Sequence, residues 1–159
     1  MSTQIIIFCQ NCGNKLINRF CSNCKQTIFE DPKLAVASII VKNHAILLIK
    51  RSVEPQIGEW AFPSGYVNRY ETPEDALKRE VKEETGLDVD INKFIGLYSK
   101  KGNPVVLVVY SVYVGNKKAI AGSDATEVNW FKLNQLPKLA FDHDTKILKD
   151  WKKSLEITF

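Results

Sequence analysis

The chain has 159 residues, enough for one full domain and a small appendage. Hydrophobic residues make up 45% and charged residues 25%, the balance of an ordinary globular protein rather than a disordered or fibrous one. The net charge of +4 contains no long basic run, so it does not single out a nucleic-acid binder, and no apolar stretch approaches the ~18 residues that span a bilayer.

The opening MSTQIIIF lacks the basic region and cleavage site of a secretory signal, so a cytoplasmic location is the expectation. All four cysteines follow at once, as Cys9-x2-Cys12 and Cys21-x2-Cys24. Two such turns facing one another supply four thiolates for a closed tetrahedral Zn²⁺ site. Disulfides need an oxidising compartment that nothing here indicates. Residues 1–30 therefore read as a small zinc ribbon, with Lys15, Arg19 and Lys25 offsetting the charge of the sulfurs. So few residues cannot fold on core burial, and metal binding would supply the folding energy. Packing on the main domain, forming a homodimer and touching nucleic acid are all open roles for it.

Phe29-Glu30-Asp31-Pro32 is the predicted junction, and residues 34–159 the main domain. LAVASIIVK (34–42) and AILLIK (45–50) read as a buried hairpin turning at Asn43-His44. A loop over 51–59 leads to a short strand at Trp60-Ala61-Phe62-Pro63. Beyond residue 87, DVDINKFIGLYS (88–99), VVLVVYSVYVG (105–115) and EVNWF (127–131) read as strands. Asp142 to Ser154 reads as a closing helix, with Ile147, Leu148, Trp151 and Leu155 at helical spacing and Asp142 at its cap. Trp60, Phe62, Tyr66, Tyr98 and Phe141 are read as packing residues first and base-stacking residues second.

Residues 65–87, GYVNRYETPEDALKREVKEETGL, organise the rest. Thr72-Pro73-Glu74-Asp75 opens a helix with a capping hydroxyl, a proline and early acids, and Gly86 closes it. At ~100° per residue Glu80, Glu83 and Glu84 share one face. Oxygen donors at that density suit a hard divalent cation such as Mg²⁺ or Mn²⁺. Leu77 and Val81 would pin the helix to a core while Lys78 and Lys82 are solvated. Arg79 has the planar fork to clamp Glu71 by two bonds.

The spacing Gly65-x5-Glu71-x7-Arg79-Glu80-Val81-x-Glu83-Glu84-x-Gly86-Leu87 resembles the box of the Nudix hydrolases at every defining position. The resemblance, from about residue 34 to 155, implies an α/β/α sandwich around a mixed sheet. It implies that Glu80, Glu83 and Glu84, with the backbone carbonyl around Gly65, hold the divalent ions. Glu80 or Glu83 then acts as ligand and base, Arg79 orients, and Glu127 is a second catalytic candidate outside the box. The implied reaction is attack of water on the diphosphate of a nucleoside diphosphate conjugate, releasing AMP from ADP-ribose first and FAD second.

The ribbon is similar to the one preceding the Nudix domain in NADH and FAD pyrophosphatases. The SQPWPFPxS array of the NADH-cleaving branch has no counterpart after the box here. Pro104 lies near the position where ADP-ribose pyrophosphatases carry a proline, and Leu139-Ala140-Phe141 matches a late feature of the FAD enzymes. Removal of an NAD or other 5′ cap from RNA, and nucleotide sensing without cleavage, are the alternative activities.

Overall fold

The computed structural model describes residues 7–29, 31–122 and 124–156. Most of the opening stretch, and Glu30 of the junction, lie outside them. The chain divides into two compact units, Met1–Pro32 and Lys33–Phe159.

The first unit holds two short antiparallel strands, β1 (Phe20–Cys21) and β2 (Gln26–Thr27), with Phe20 opposite Thr27. Its buried residues are Cys9, Leu16 and Cys21, with Cys24 and Ile28 packed against them.

The second unit begins with β3 (Lys33–Lys42) and β4 (Ala45–Arg51), joined at Asn43 and His44, whose φ angles of 50° and 60° form the tight turn. The hairpin is shorter than the apolar runs suggest. The two strands pair only at Val41–Ile46 and Lys42–Ala45 and then part. Beyond that point β3 runs parallel to β8 (Val105–Val114) from Lys33–Val105 to Ile40–Val112, and it also pairs with β6 (Ser64–Tyr66). In the other direction β4 takes β5 (Trp60–Ala61) and β9 (Ala125–Lys132) as partners. The sheet closes at the far edge with β7 (Val89–Ser99), antiparallel to β8 and bulged near Asn92 and Ile95.

The long apolar runs alternate between two cores. Ala35, Ala37, Ile39, Ile46 and Leu48 face Ile147, Leu148 and Trp151 of α2 (Asp144–Glu156). Val36, Ile40 and Leu47 face Ala76, Leu77 and Val81 of α1 (Pro73–Thr85). Burial on both faces explains why neither strand shows a polar alternation. The result is the mixed sheet between two helices that the motif implied. Leu155 differs from its expected role, being 56% exposed although its spacing places it with Trp151. Among the described residues no helix is long and apolar enough to cross a membrane.

Candidate active site and cysteine cluster

The ends of α1 follow from its sequence. Thr72 Oγ1 accepts the Asp75 N–H at 3.1 Å, Pro73 occupies the first turn, and Gly86 ends the helix at φ 69° while its N–H returns to Lys82 O. Leu77 and Val81 are fully buried, whereas Lys78 and Lys82 form exposed pairs with Asp90 and Asp88. That rotation commits the glutamate face to the sheet side of the helix near β6.

Arg79 holds Glu71 by two parallel bonds, Nε to Oε1 at 2.8 Å and Nη2 to Oε2 at 2.9 Å. Its Nη1 reaches Glu80 at 2.7 Å and Glu83 at 3.3 Å, and Nη2 also donates to Tyr66 O. The bonds from Arg79 hold the Glu71 carboxyl down at about 2. One guanidinium thus ties the loop before the helix, the strand β6 and two acids of the helix together.

The three glutamates of the face have different surroundings. Glu84 is only 4% exposed, and its Oε2 accepts the Ser64 N–H at 2.8 Å. Burial pushes its carboxyl up to about 8, against the pull of that N–H. Burial also raises Glu80, with Arg79 acting the other way. Glu83 is the exposed member, its side chain 53% accessible, and unlike Glu80 and Glu84 it is not among the residues lining the adjoining cavity. Gly65 leaves room for the Glu80 carboxylate: a Cβ there would overlap it and displace it from its place against Arg79. Bare backbone beside a carboxyl, and burial that raises both Glu84 and Glu80, fit a hard divalent cation that would hold them as carboxylates.

Glu80 and Glu84 line a cavity of about 520 Å³ that also takes in Gly65, Arg51, Asp124 and Phe141. Its volume is in the range of small-molecule sites. Asp124 was not singled out from the sequence, because one acid in a Gly-Ser-Asp loop carries no spacing signal. Two bonds bring it in: Ile120 N–H donates to Thr85 O and Gly122 N–H to Glu84 O, strapping the loop onto the last turn of α1. Its charge acts on both Glu80 and Glu84.

Glu127, expected as a second catalytic acid, is not among the residues lining this cavity. The register of β9 sets it opposite Lys50, with which it forms a 2.8 Å ion pair at a side-chain exposure of 55%. Asp142 is not the cap of α2. It pairs with Lys100, while Asp144 accepts the Phe141 N–H at 3.1 Å. His143 lines the cavity and stacks on Phe141 at 5.4 Å between ring centres. Of the other aromatic candidates, Phe62 and Tyr66 also line the cavity, Trp60 packs edge-on against Phe131, and Tyr98 bonds Asp150 in the α2 core.

In the first unit the sulfur atoms of Cys9, Cys12, Cys21 and Cys24 all lie within 4.8 Å of one another. Cys9–Cys24 is 3.9 Å and Cys12–Cys21 is 3.5 Å, far longer than a disulfide bond. A tetrahedron with Zn–S of ~2.3 Å has edges of ~3.8 Å. The Asn14 backbone N–H draws the Cys12 thiol down to about 6, and Cys24, bonded to it, is pushed up to about 12. Four sulfurs so placed cannot all ionise without a cation among them, and the cluster can bind zinc.

Comparison with known proteins agrees with this geometry. Residues 31–151 match the NUDIX domain family. An ADP-ribose pyrophosphatase of Methanocaldococcus jannaschii is 44% identical over 131 residues, covering 80% of this chain and 77% of that protein. The NAD-capped RNA hydrolase NudC of Vibrio atlanticus is 25% identical over 146 residues, and the match spans about half (54%) of its length. A crystal structure of a NUDIX hydrolase from Nitrosomonas europaea superposes with a TM-score of 0.82 at 25% identity, covering 93% of this chain and 92% of that one. On the family match over residues 31–151 and the 44% identical relative, the chain belongs to the Nudix family of pyrophosphohydrolases.

Proposed function

We propose that the protein hydrolyses the diphosphate of an adenosine diphosphate conjugate, ADP-ribose before FAD, releasing AMP. The observation that carries this reading is the shared cavity, in which the Glu80–Glu84 carboxylates meet a guanidinium and an aromatic ring, those of Arg51 and Phe141. The 44% identical relative named as an ADP-ribose pyrophosphatase supports the choice of substrate.

In this reading Glu80, Glu83, Glu84 and the Gly65 carbonyl hold Mg²⁺ or Mn²⁺, and Cys9, Cys12, Cys21 and Cys24 hold a structural Zn²⁺. When bound, the divalent ion neutralises diphosphate oxygens and acidifies a water. Glu80 or Glu83 takes the water's proton, the oxygen attacks one phosphorus, and the bridging P–O bond breaks with its electron pair leaving on the other phosphate. Arg79 reacts with nothing. Its bonds hold Glu80 and Glu83 in place. In the same reading residues 1–30 are the zinc ribbon and residues 34–159 the catalytic domain.

The test is a substrate panel with product identification, run on the wild type and on Glu83→Gln. ADP-ribose should give AMP and ribose 5-phosphate. Glu83→Gln should lose ~10³-fold in rate with its melting temperature unchanged, because charge is removed at an exposed side chain. Cleavage confined to nucleoside triphosphates or to NAD-capped RNA would overturn the substrate assignment. Near-normal rates for Glu83→Gln at saturating Mg²⁺ would overturn the site.

A further inference from the structure

In the first unit the bridges Phe8–Lys15 and Ile17–Phe20 extend the β1–β2 pair into a small antiparallel layer. Partners across such a ladder point to the same side, and successive residues along a strand point to opposite sides. Leu16, between Lys15 and Ile17, is buried with Cys9 and Cys21, the residues that directly follow Phe8 and Phe20. Ile28, packed against that cluster, directly follows Thr27. Phe8, Lys15, Ile17, Phe20 and Thr27 therefore share the side turned away from the sulfurs. All of them are exposed, Ile17 at 72%, Phe8 at 53% and Phe20 at 43%.

The same layer gathers positive charge. The first 29 residues hold Lys15, Arg19 and Lys25 and no aspartate or glutamate. Lys15 stands across the ladder from Phe8, Arg19 lies in the turn between Ile17 and Phe20, and Lys25 in the turn between β1 and β2. All three are exposed, and none forms an ion pair among the described residues. A zinc-bound set of four thiolates would carry its surplus negative charge behind the layer, and three cations outweigh it.

Two rings and an aliphatic chain gathered on one solvated side mark an interaction surface. Cores of protein–protein interfaces are depleted in lysine, whereas here Lys15 stands among the apolar side chains. A single strand of nucleic acid matches both features, because its unpaired bases stack on rings and its phosphates meet the cations. A duplex would keep its base faces out of reach.

We propose that this face of the ribbon binds a single strand of nucleic acid, with bases stacked on Phe8 and Phe20 and phosphates held by Lys15, Arg19 and Lys25. Stacking and phosphate contacts carry little base identity, so strands of varied sequence are accepted. The surface belongs to the first unit alone, and its binding is independent of which nucleotide the catalytic domain cleaves.

The experiment is a fluorescence anisotropy titration of the full, zinc-loaded chain without Mg²⁺ against a labelled oligouridine RNA of about 12 nucleotides. Binding should have a Kd on the order of 10⁻⁵ M near physiological salt and weaken with a log–log salt slope of about −2, as three phosphate contacts require. The same strand annealed to oligoadenosine should bind about tenfold more weakly. Phe8→Ala and Phe20→Ala should each weaken binding about fivefold or more, with Phe20→Tyr close to wild type, and Lys15→Gln should reduce the salt slope by about 0.7. Hydrogen exchange at Leu16 and Ile28, whose amides bond Ile7 and Arg19, should stay as in wild type, which separates loss of the surface from loss of the fold. If a ring variant does lose that protection, Lys15→Gln and Arg19→Gln on exposed side chains keep the test decisive. No anisotropy change at ~10⁻⁴ M protein, a duplex bound as tightly as the single strand, or unchanged affinity in both folded phenylalanine variants would overturn the proposal. A dimer that Phe20→Ala dissociates, with no strand bound, would overturn it too and assign the face to a second copy of the chain.

Discussion

The two units hold their folds by different means. In the sheet unit both faces of β3 and β4 are covered, and Ile39, Ile40, Ile46, Leu47, Leu48 and Ile49 are all essentially inaccessible. In the ribbon the buried set is Cys9, Leu16 and Cys21, two of which are metal-ligand candidates. One unit is stabilised by apolar area removed from water; the other has a far smaller apolar core and four sulfurs placed where a cation could bind them. The difference shows that burial alone is a poor guide to what a residue contributes. Cys21 and Val36 are both fully buried, yet the first is a metal-ligand candidate and the second a hydrocarbon.

The largest test of that contrast is to remove zinc. A strong chelator, or Cys12→Ser, should abolish hydrogen-exchange protection at Cys9, Leu16 and Ile28, whose amides bond Asn14, Ile7 and Arg19. Sheet amides such as those of β3 should keep theirs. Binding of structural zinc is worth ~10–16 kcal/mol in small modules, so the ribbon loses essentially all of its order. Purified protein without zinc, or with disulfides by mass spectrometry, would break the comparison.

The converse break is Leu48→Ala. The side chain is fully buried in the α2-facing core, and its truncation should cost ~2–5 kcal/mol in thermal or denaturant unfolding while zinc content per chain stays the same. A cost below ~1 kcal/mol would mean the core relaxes around the gap.

Arg79 sharpens the comparison, because it is an ionic staple inside the unit held by apolar burial. Arg79→Ala should lower stability by ~1–2 kcal/mol, since Glu71 and Glu80 lose their partner at a partly solvated site. It should also lower the rate, and Arg79→Lys should recover little because an ammonium cannot reproduce the two-bond clamp. A variant that loses rate at unchanged melting temperature would contradict the stapling role.

The smallest effect belongs to Glu71 and appears only in acid. Its folded pKa of about 2 lies below the ordinary 4.5, so its contribution is complete above 4.5 and disappears as pH falls through about 2. The stability difference between wild type and Glu71→Gln should therefore be flat above that window and shrink to nothing within it. A gap that persists at the acid end would assign the effect to packing.

What could be read in the sequence was what neighbouring residues impose on one another. The cap at Thr72, the stop at Gly86, the Glu71–Arg79 clamp and the two CxxC turns each need a fixed spacing within one stretch of chain, and the structure shows those contacts. The splaying of β3 from β4 had no such mark, since an apolar run reads alike whether its partner is the next strand or one 72 residues on, as Lys33 is from Val105. Asp124 and Arg51 escaped for a related reason. Each is a lone charged residue beside a loop, and its place in the cavity is decided by backbone bonds made elsewhere. Glu127 is likewise placed by pairing far along the chain: the register of β9 sets it beside Lys50, which no spacing within its own strand announces.

The strap over the end of α1 bears on how this chain tolerates change in length. Ile120 and Gly122 complete two carbonyls that a helix end leaves open, and a side chain at Gly122 would run into the Glu83 backbone carbonyl. The connection after β8 is therefore divided into a stretch that can vary and a stretch that cannot. Insertions among residues 115–118 lengthen an exposed turn and should be accepted, as loops of this kind usually are. One residue added between Gly122 and Asp124 would shift the acid away from Glu80 and Glu84 while every residue of the box kept its place.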